Sequence, residues 1–358
     1  MSVAIVTGSA GLVGSEAAEF LHEQGMDVVG VDNDMRAYFF GPDASTRWNQ
    51  ERLLGRLPRF GAVDLDVRDA DGVAALVGEY GRDLSLVVHA AAQPSHDWAA
   101  HEPMTDFGVN AVGTMNLLEA VRTRAPQATF VFLSTNKVYG DAPNELPLVE
   151  GETRFELDPA HPWAEHGIDE TMRIDRSTHS VFGAGKVAAD VMVQEYGRYF
   201  GMRTACFRGG CLTGPRHSGA QLHGFLAYLV RCAVTGTPYT VFGHGGKQVR
   251  DNIHSHDLVT ALWAFACDPR PGAVYNIGGS RHANCSVLEA IELIERVSGR
   301  EIDVTVSEEA RRGDHVWWVS DVRRFREDHP GWEYRHGLED MVEEMVDAAS
   351  TRLARTAS

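Results

Sequence analysis

The sequence has few lysines, no closely paired cysteines and no long hydrophobic run. Its 33 basic residues are outnumbered by 50 acidic ones, and the formal net charge of -17 disfavours nucleic acid or an anionic membrane as the main partner. The five cysteines show no CxxC spacing, which argues against a disulfide framework or a zinc site. No apolar stretch approaches the roughly 18 residues that a membrane-spanning helix needs. We therefore expect a protein of a reducing compartment that binds neither nucleic acid nor membrane.

The N-terminus also lacks the marks of export. Met1 runs directly into the apolar residues 3–6, without the basic segment and the longer apolar segment of a signal peptide. Together with the unpaired cysteines, this start predicts a cytoplasmic protein.

Histidine is abundant, and five of the 16 histidines crowd into one region of the chain. These are His217, His223, His244, His254 and His256. Neither HExxH nor a similar spacing of metal ligands accompanies them, so no metal site is predicted.

Short apolar segments alternate with amphipathic ones through the first third of the chain. Strand-like segments occur at 3–6, 28–31, 86–89 and 129–133, and helical patterns occur at 12–24 and 110–124. Such alternation is typical of βαβ units built around a parallel sheet. The sequence therefore predicts an α/β fold with a Rossmann-like, doubly wound parallel sheet.

Three glycines follow the first predicted strand at a GxxGxxG spacing and open a helix. The residues of this loop are Gly8, Gly11, Leu12, Val13 and Gly14. Glycine lets the backbone turn sharply and approach a pyrophosphate, and the helix N-terminus offers unpaired N–H groups to the phosphates. Asp32 ends the second predicted strand about 20 residues on, where a carboxylate accepts hydrogen bonds from ribose hydroxyls and repels a 2′-phosphate. The pattern predicts a dinucleotide site that prefers NAD to NADP.

The chain is expected to divide near residue 205. Residues 1–205 would form the NAD-binding domain, and residues 206–358 would mainly form a smaller mixed α/β lobe for the substrate, with some return of the chain to the first domain. Between about 141 and 176 the regular pattern gives way to proline, acidic residues and histidine. Irregular segments of this length are usually functional or disordered, so we expect this insertion to contact the ligand or to act as a lid.

Several segments, taken with the glycine loop, resemble the extended short-chain dehydrogenase/reductase family of nucleotide-sugar epimerases and dehydratases. The resemblance extends from residues 7–14 to Arg311-Arg312-Gly313-Asp314. It implies NAD as cofactor, a nucleotide-sugar substrate and a homodimer. The cofactor-binding positions that it implies, beyond the glycine loop and Asp32, are Asn33, Asp66 and Val67 against the adenine, Ala90, Ala91 and Ala92 along the cofactor, Asn110 supporting the neighbouring strand, and Lys186.

The resemblance also implies where the substrate binds. Residues 134–140 match a family segment that ends in Val-Tyr-Gly and whose Ser or Thr bonds the reacting sugar hydroxyl; Thr135 occupies that position, and Asn136 lies beside it. Arg250 and Arg311 would pair with the diphosphate, a task that suits the forked donors of arginine. Within the family, residues 135–140 and 246–251 are most similar to the CDP-paratose 2-epimerases, which oxidise a sugar carbon with NAD and then reduce it again.

One position departs from the family pattern. Family members carry a tyrosine four residues before the catalytic lysine, where both side chains share one helical face and the phenol takes the proton of the sugar hydroxyl. Here the string runs from Phe182 to Lys186. Phenylalanine has no titratable proton, and the loss of a general base typically slows a reaction about 10²- to 10⁴-fold.

Three explanations of this departure are open. Another group takes the proton, with Thr135 through water, Tyr139, Cys211 and Lys186 as candidates. Alternatively the chemistry has changed, as in a dehydratase or oxidoreductase with a changed base, to a step that needs less base assistance or begins from a substrate already oxidised. In the third explanation the protein binds NAD or a sugar nucleotide without catalysis. Only three of the 33 basic residues are lysines, so a lysine kept at position 186 is consistent with a site that needs a compact ammonium. We therefore expect an NAD-dependent epimerase with Thr135 and Lys186 as the retained catalytic pair.

Overall fold

The computed structural model describes residues 2–217, 224–309 and 313–356. The strands in these ranges are β1 (Val3–Thr7), β2 (Asp27–Val31), β3 (Phe60–Val63), β4 (Leu84–His89), β5 (Thr129–Thr135), β6 (Leu148–Glu150), β7 (Phe155–Leu157), β8 (Thr204–Gly209), β9 (Cys211–Thr213), β10 (Tyr239–Phe242), β11 (Val249–His254), β12 (Ala273–Ile277), β13 (Asn284–Ser286), β14 (Val304–Ser307) and β15 (Trp317–Trp318). The α-helices are α1 (Leu12–Glu23), α2 (Met35–Phe40), α3 (Arg47–Arg56), α4 (Ala70–Tyr80), α5 (His96–His101), α6 (Pro103–Phe107), α7 (Gly113–Arg124), α8 (Val181–Phe200), α9 (Phe225–Thr235), α10 (Ser255–Cys267), α11 (Val287–Ser298), α12 (Arg323–Asp328) and α13 (Leu338–Thr356).

The central element is a seven-stranded sheet in the order β12-β8-β5-β4-β1-β2-β3, and every pair of neighbouring strands in it is parallel. Its strands are almost wholly buried because helices cover both faces. On one face, α1 and α10 pack through residues such as Leu21 and Phe265. On the other face, α4, α7 and α8 pack through residues such as Val77, Leu118 and Val193. The predicted Rossmann-like, doubly wound fold is confirmed.

The chain reverses its direction of winding at β1, which lies between β2 and β4. In open parallel sheets of this kind, a crevice forms at the carboxyl ends of the strands beside that reversal, and ligands bind there. The glycine loop follows β1 directly and leads into α1. The topology therefore places the predicted dinucleotide loop at the mouth of the crevice.

The second lobe combines short strands with three packed helices. β11 pairs in parallel with β9 and β15 and antiparallel with β13, whereas β10 pairs with β14. Its separate core is formed mainly by α9, α11 and α13, with Leu229, Ile294 and Met345 among the buried residues. The central sheet takes β12 from the sequence beyond residue 205, and β8 runs through that position. A domain boundary at 205 therefore stays a prediction.

The insertion at 141–176 is packed against the rest of the protein. It contains the hairpin β6–β7, and its Leu157 and Ile168 lie in a core cluster with Trp317 and Trp318. Arg154 of the hairpin pairs with Glu289 of α11. None of residues 141–176 lines the large cavity described below, and a role of the insertion as a ligand contact or lid stays a prediction.

The long helices are amphipathic rather than uniformly apolar. Helix α8, for example, buries Ala189 and Val193 but leaves Glu195 and Arg198 at its surface. Among the described helices, none has the length and apolar content that spanning a membrane requires.

Candidate functional site

A cavity of about 480 Å³ opens at the carboxyl ends of the central strands. It extends from Gly8 after β1 and Asp32 after β2 to Thr135 at the end of β5, and the second lobe contributes residues such as Arg250. Of the predicted site residues that the structure describes, the cavity brings together all but two. The exceptions are Asn110 and Tyr139. Arg311 lies outside the described residues.

The glycine loop is shaped for close approach of a ligand. Gly8 has a φ of +67°, and a Cβ added there would lie 2.8 Å from the backbone nitrogen of Ala91. A Cβ on Gly14 would overlap the carbonyl group of Gly8. Helix α1 has Gly11 at its N-cap and no side-chain cap, so the N–H groups of its first turn are available to an anion. These features fit a pyrophosphate at this end of the cavity.

Asp32 is fixed at the end of β2 by two backbone donors. Its carboxylate accepts 2.9 Å hydrogen bonds from the backbone N–H groups of Ala10 and Asp34. Burial raises the pKa of Asp32 above its ordinary value, against the effect of those two hydrogen bonds. An ionised carboxylate has about four acceptor positions, so acceptors are left for the ribose hydroxyls of an adenosine.

Asn33, Asp66 and Val67 line the same end of the cavity. The side-chain amide of Asn33 donates to the Asp66 carboxylate at 3.2 Å, and the guanidinium of Arg68 donates to the same carboxylate. The hydrogen bonds from Arg68 lower the pKa of Asp66 despite its partial burial. The adenine end of the predicted site is therefore preorganised by contacts among its own residues.

The wall between the two ends of the cavity follows β4. Ala90, Ala91 and Ala92 line it as predicted. Asn110 does not: its buried amide accepts from the backbone N–H of Gln93 at 3.2 Å and donates to the carbonyl of Gln93 at 3.0 Å. These contacts fit the expected support of the neighbouring strand by Asn110, and a contact of Asn110 with the cofactor stays a prediction.

Of the described residues, five cationic ones line the cavity of this acidic protein, together with the four carboxylates of Asp32, Asp66, Asp97 and Asp314. The cationic residues that line it are Arg36, Lys137, Lys186, Arg216 and Arg250. Sequence reasoning missed Arg36 and Arg216, although Arg36 lies only four residues after Asp32. Burial lowers the pKa of Arg36 to about 10, and Arg216 pairs with Glu16 and Glu19 of α1. The cluster supplies the local basic surface that a ligand with phosphates requires.

Thr135, Phe182 and Lys186 converge at the far end of the cavity. The Thr135 hydroxyl accepts from the backbone N–H of Lys137 at 3.2 Å and lies 3.3 Å from the side-chain oxygen of Asn136. The ammonium of Lys186 is buried, donates to the carbonyl of Leu133 at 2.7 Å, and has its pKa lowered to about 8 by burial. At neutral pH it therefore remains mainly a cation, and it lines the same cavity as Thr135.

Two of the suggested replacements for the missing phenol do not fit that role. Tyr139 is fully buried, donates to Asn276 at 2.7 Å and accepts from Arg208 at 2.9 Å, and burial raises the pKa of its phenol. Cys211 does line the cavity, but burial raises the pKa of its thiol to about 12. A locked phenol and a protonated thiol are poor proton acceptors, so neither suggestion is retained.

Arg250 and Lys137 share a carboxylate at the border with the second lobe. Arg250 lies 3.1 Å from Asp314, and the Lys137 ammonium lies 3.8 Å from the same carboxylate and donates to the carbonyl of Gly313 at 2.9 Å. Burial lowers the pKa of Lys137 to about 8. Arg250 is thus positioned in the cavity as predicted, although the structure tests no contact with a diphosphate.

Three metal-ligating side chains meet away from this cavity. His254, His336 and Glu344 place one ligand atom each within 4.8 Å of the others, although His254 is remote in sequence from the other two. However, Nδ1 of His254 accepts the backbone N–H of His256 at 3.0 Å, so the proton of the neutral ring is on Nε2 and faces Glu344. The set therefore does not present three free lone pairs, and we assign no metal to it.

Comparison with known proteins agrees with this geometry. Residues 4–278 match the NAD dependent epimerase/dehydratase family. The chain belongs to this family. The match confirms the predicted resemblance and the NAD dependence that goes with it.

Individual relatives cover almost the whole chain. CDP-paratose 2-epimerase of Salmonella typhi is 30% identical over 354 residues, which is 97% of this chain and 99% of the relative. A dTDP-glucose 4,6-dehydratase of Haemophilus influenzae is 26% identical and covers 94% of this chain and 89% of its own length. The structure of Thermus thermophilus UDP-glucose 4-epimerase in complex with NAD superposes with a TM-score of 0.76 at 24% identity, over 98% of this chain and 99% of that one. This last likeness supports the fold.

Proposed function

We propose that this protein is an NAD-dependent epimerase of a nucleotide-linked sugar, of the CDP-sugar 2-epimerase type. The observation that carries the proposal is the continuity of one cavity from the glycine loop and Asp32 to Thr135 and Lys186. NAD bound along this path would supply a reversible hydride acceptor. The similarity to a CDP-paratose 2-epimerase along nearly the full chain supports the choice of epimerase and of a CDP-linked sugar.

Each residue of the site has a proposed role that follows from its chemistry. Asp32 and the glycine loop hold the adenosine and pyrophosphate, and Thr135 bonds the hydroxyl of the reacting sugar carbon. Lys186 keeps a cation beside that hydroxyl, which favours the loss of its proton. Arg250 binds the diphosphate of the substrate, and Arg311 is proposed to do so with it.

A second candidate function rests on Phe182. Because this buried ring stands where the family carries a phenol, the protein could bind NAD and a sugar nucleotide without epimerising the sugar, or act as a dehydratase or oxidoreductase with a changed base. The retained Lys186 and the open cavity around it favour catalysis.

We also propose a cytoplasmic homodimer. Helix α8 leaves an apolar stripe of Val181, Ala184 and Val191 at its surface, and α6, which packs beside it, exposes Met104 and Phe107. Met104 is 84% exposed. A contiguous apolar face of two neighbouring helices is typical of a protein interface.

The function is tested by incubating the NAD-loaded protein with CDP-, UDP-, GDP- and dTDP-sugars in deuterated water. Reduced nicotinamide is followed by absorbance, and the recovered sugars are analysed by NMR. Epimerised sugar, with the CDP-sugar preferred, is the expected result. Binding of the sugar nucleotides without reduced nicotinamide and without altered sugar would instead establish the non-catalytic candidate, and a deoxy-keto sugar would establish the dehydratase.

A further inference from the structure

His96 is the imidazole that adjoins the ring of Phe182. It begins α5, in the segment that follows β4, and it lines the cavity together with Phe182 and Thr135. The two ring centroids lie 4.9 Å apart in an edge-to-face arrangement. The sequence offers no reason to assign a role to His96, because no local sequence pattern indicates that His96 and α8 are in contact.

The orientation of the imidazole is fixed through its other nitrogen. Nδ1 of His96 lies 2.6 Å from the hydroxyl oxygen of Ser180, which also accepts the backbone N–H of Gly183 as the N-cap of α8. Either partner can be the donor in this hydrogen bond. We take the tautomer in which Nδ1 donates to Ser180, which leaves the lone pair of the neutral ring on Nε2. Nε2 makes no hydrogen bond to any other residue in the described parts of the chain.

The charges that face His96 keep it neutral. Burial and, to a smaller extent, the nearby Lys137 ammonium lower its pKa to about 4, against the opposing effect of Asp314. Lys137 and Lys186 themselves are mainly protonated at neutral pH, and each donates to a backbone carbonyl. Among the described groups at this end of the cavity, His96 is therefore a nitrogen base that already carries a lone pair.

We propose that Nε2 of His96 takes the proton of the sugar hydroxyl, in the place of the phenol that Phe182 lacks. The proposal rests on the proposed epimerase function. In the step, the hydroxyl O–H bond breaks and its proton passes to Nε2, while the C–H bond of the same carbon breaks and its hydride goes to the nicotinamide. The carbon becomes a ketone, and the reverse step returns the proton and the hydride. An imidazolium formed beside Lys137 returns its proton readily, as an epimerase requires.

The test compares His96→Asn with His101→Asn in the NAD-loaded protein. Asparagine keeps a polar group near the position of Nδ1 for Ser180 but removes Nε2, and His101 is an exposed histidine at the other end of the same helix. We expect kcat of His96→Asn to fall about 10²- to 10⁴-fold with little change in sugar-nucleotide binding measured by calorimetry. His101→Asn should match the wild type. Full activity of His96→Asn would overturn the proposal.

The pH profile and a rescue separate a chemical role from a packing role. The activity of the wild type should fall on the acid side as His96 gains a proton, and His96→Asn should lose that acid limb. Adding Phe182→Tyr to His96→Asn should restore part of the rate, because it supplies a phenol beside Lys186. An acid limb that is unchanged in His96→Asn would contradict the assignment.

A binding measurement keeps the inference testable if the wild type proves inactive. In protein labelled with ¹⁵N in its histidine rings, the Nε2 signal that is absent from His96→Asn should shift when CDP-glucose is added to the NAD-loaded protein. No shift on saturation would overturn the role of His96. By contrast, absence of turnover with every sugar nucleotide, with the shift present, would overturn the epimerase function alone.

Discussion

At the scale of single residues, the cavity contains Lys186 in a chain with only three lysines among its 33 basic residues. The ammonium of Lys186 lies 4.1 Å from the ring centre of Phe132 and donates to the carbonyl of Leu133. One helical turn further along the same face lies the buried Asp190, whose negative charge favours the cationic form of Lys186. A compact ammonium suits this buried position better than a planar guanidinium with five donors.

Removal of the charge of Lys186 should lower the rate of turnover strongly and change the stability of the fold only slightly. We predict that Lys186→Met lowers kcat/KM about 10²- to 10⁴-fold, because the cation beside the reacting hydroxyl is lost while a chain of similar volume remains. The matched control is Lys247→Met, since Lys247 pairs with Glu150 outside the cavity. Steady-state kinetics and thermal unfolding measure both effects. Equal activity of the two variants would refute the role of Lys186.

At the scale of elements, the strand, the loop and the helix of residues 3–23 form one binding unit. The path of the loop depends on Gly14, where an added Cβ would overlap the carbonyl group of Gly8. The sequence predicted this unit well because all of its determinants are local: an apolar strand, glycines at fixed spacing and a helix that begins at Leu12.

Gly14→Ala should therefore distort the loop. Overpacking of this kind destabilises a protein by about 1–3 kcal/mol, and we expect a comparable loss of NAD binding because the first turn of α1 moves. Gly55→Ala is the control: Gly55 lies in α3 with no atom near the added Cβ, so its replacement should stabilise the helix by up to about 1 kcal/mol. Thermal unfolding and calorimetric NAD titration distinguish the two. Unchanged NAD affinity in Gly14→Ala would count against the loop as the pyrophosphate site.

At the scale of the whole molecule, the sequence predicted the fold class and several strands and helices, but not the contacts between residues that are remote in sequence. The predicted strand segments at 3–6, 28–31, 86–89 and 129–133 lie within β1, β2, β4 and β5, because an apolar run in the sequence indicates a buried strand directly. The burial of Tyr139, by contrast, depends on its hydrogen bonds with Asn276 and Arg208. The position of His96 depends on its ring contact with Phe182 of α8. Such contacts join residues that are remote in sequence, and no local pattern encodes them.

The proposed dimer is a property of the whole molecule as well. Val191→Arg places a charge in the exposed apolar stripe of α8, and we predict that it converts the dimer to a monomer. Val149→Arg, in the exposed hairpin strand β6, is the control and should leave the dimer intact. Light scattering during size-exclusion chromatography gives the mass. A dimeric Val191→Arg would show that the interface lies elsewhere.

The central claim is that the crevice at the carboxyl ends of the strands holds NAD, and it is tested most directly by identifying the nucleotide that the protein binds. The purified protein is saturated with an equal mixture of NAD and NADP, freed of excess ligand and denatured, and the released nucleotides are quantified by mass spectrometry. Because Asp32 repels a 2′-phosphate, the account predicts about one NAD per chain and little NADP. Release of neither nucleotide, or of NADP in preference, would contradict it.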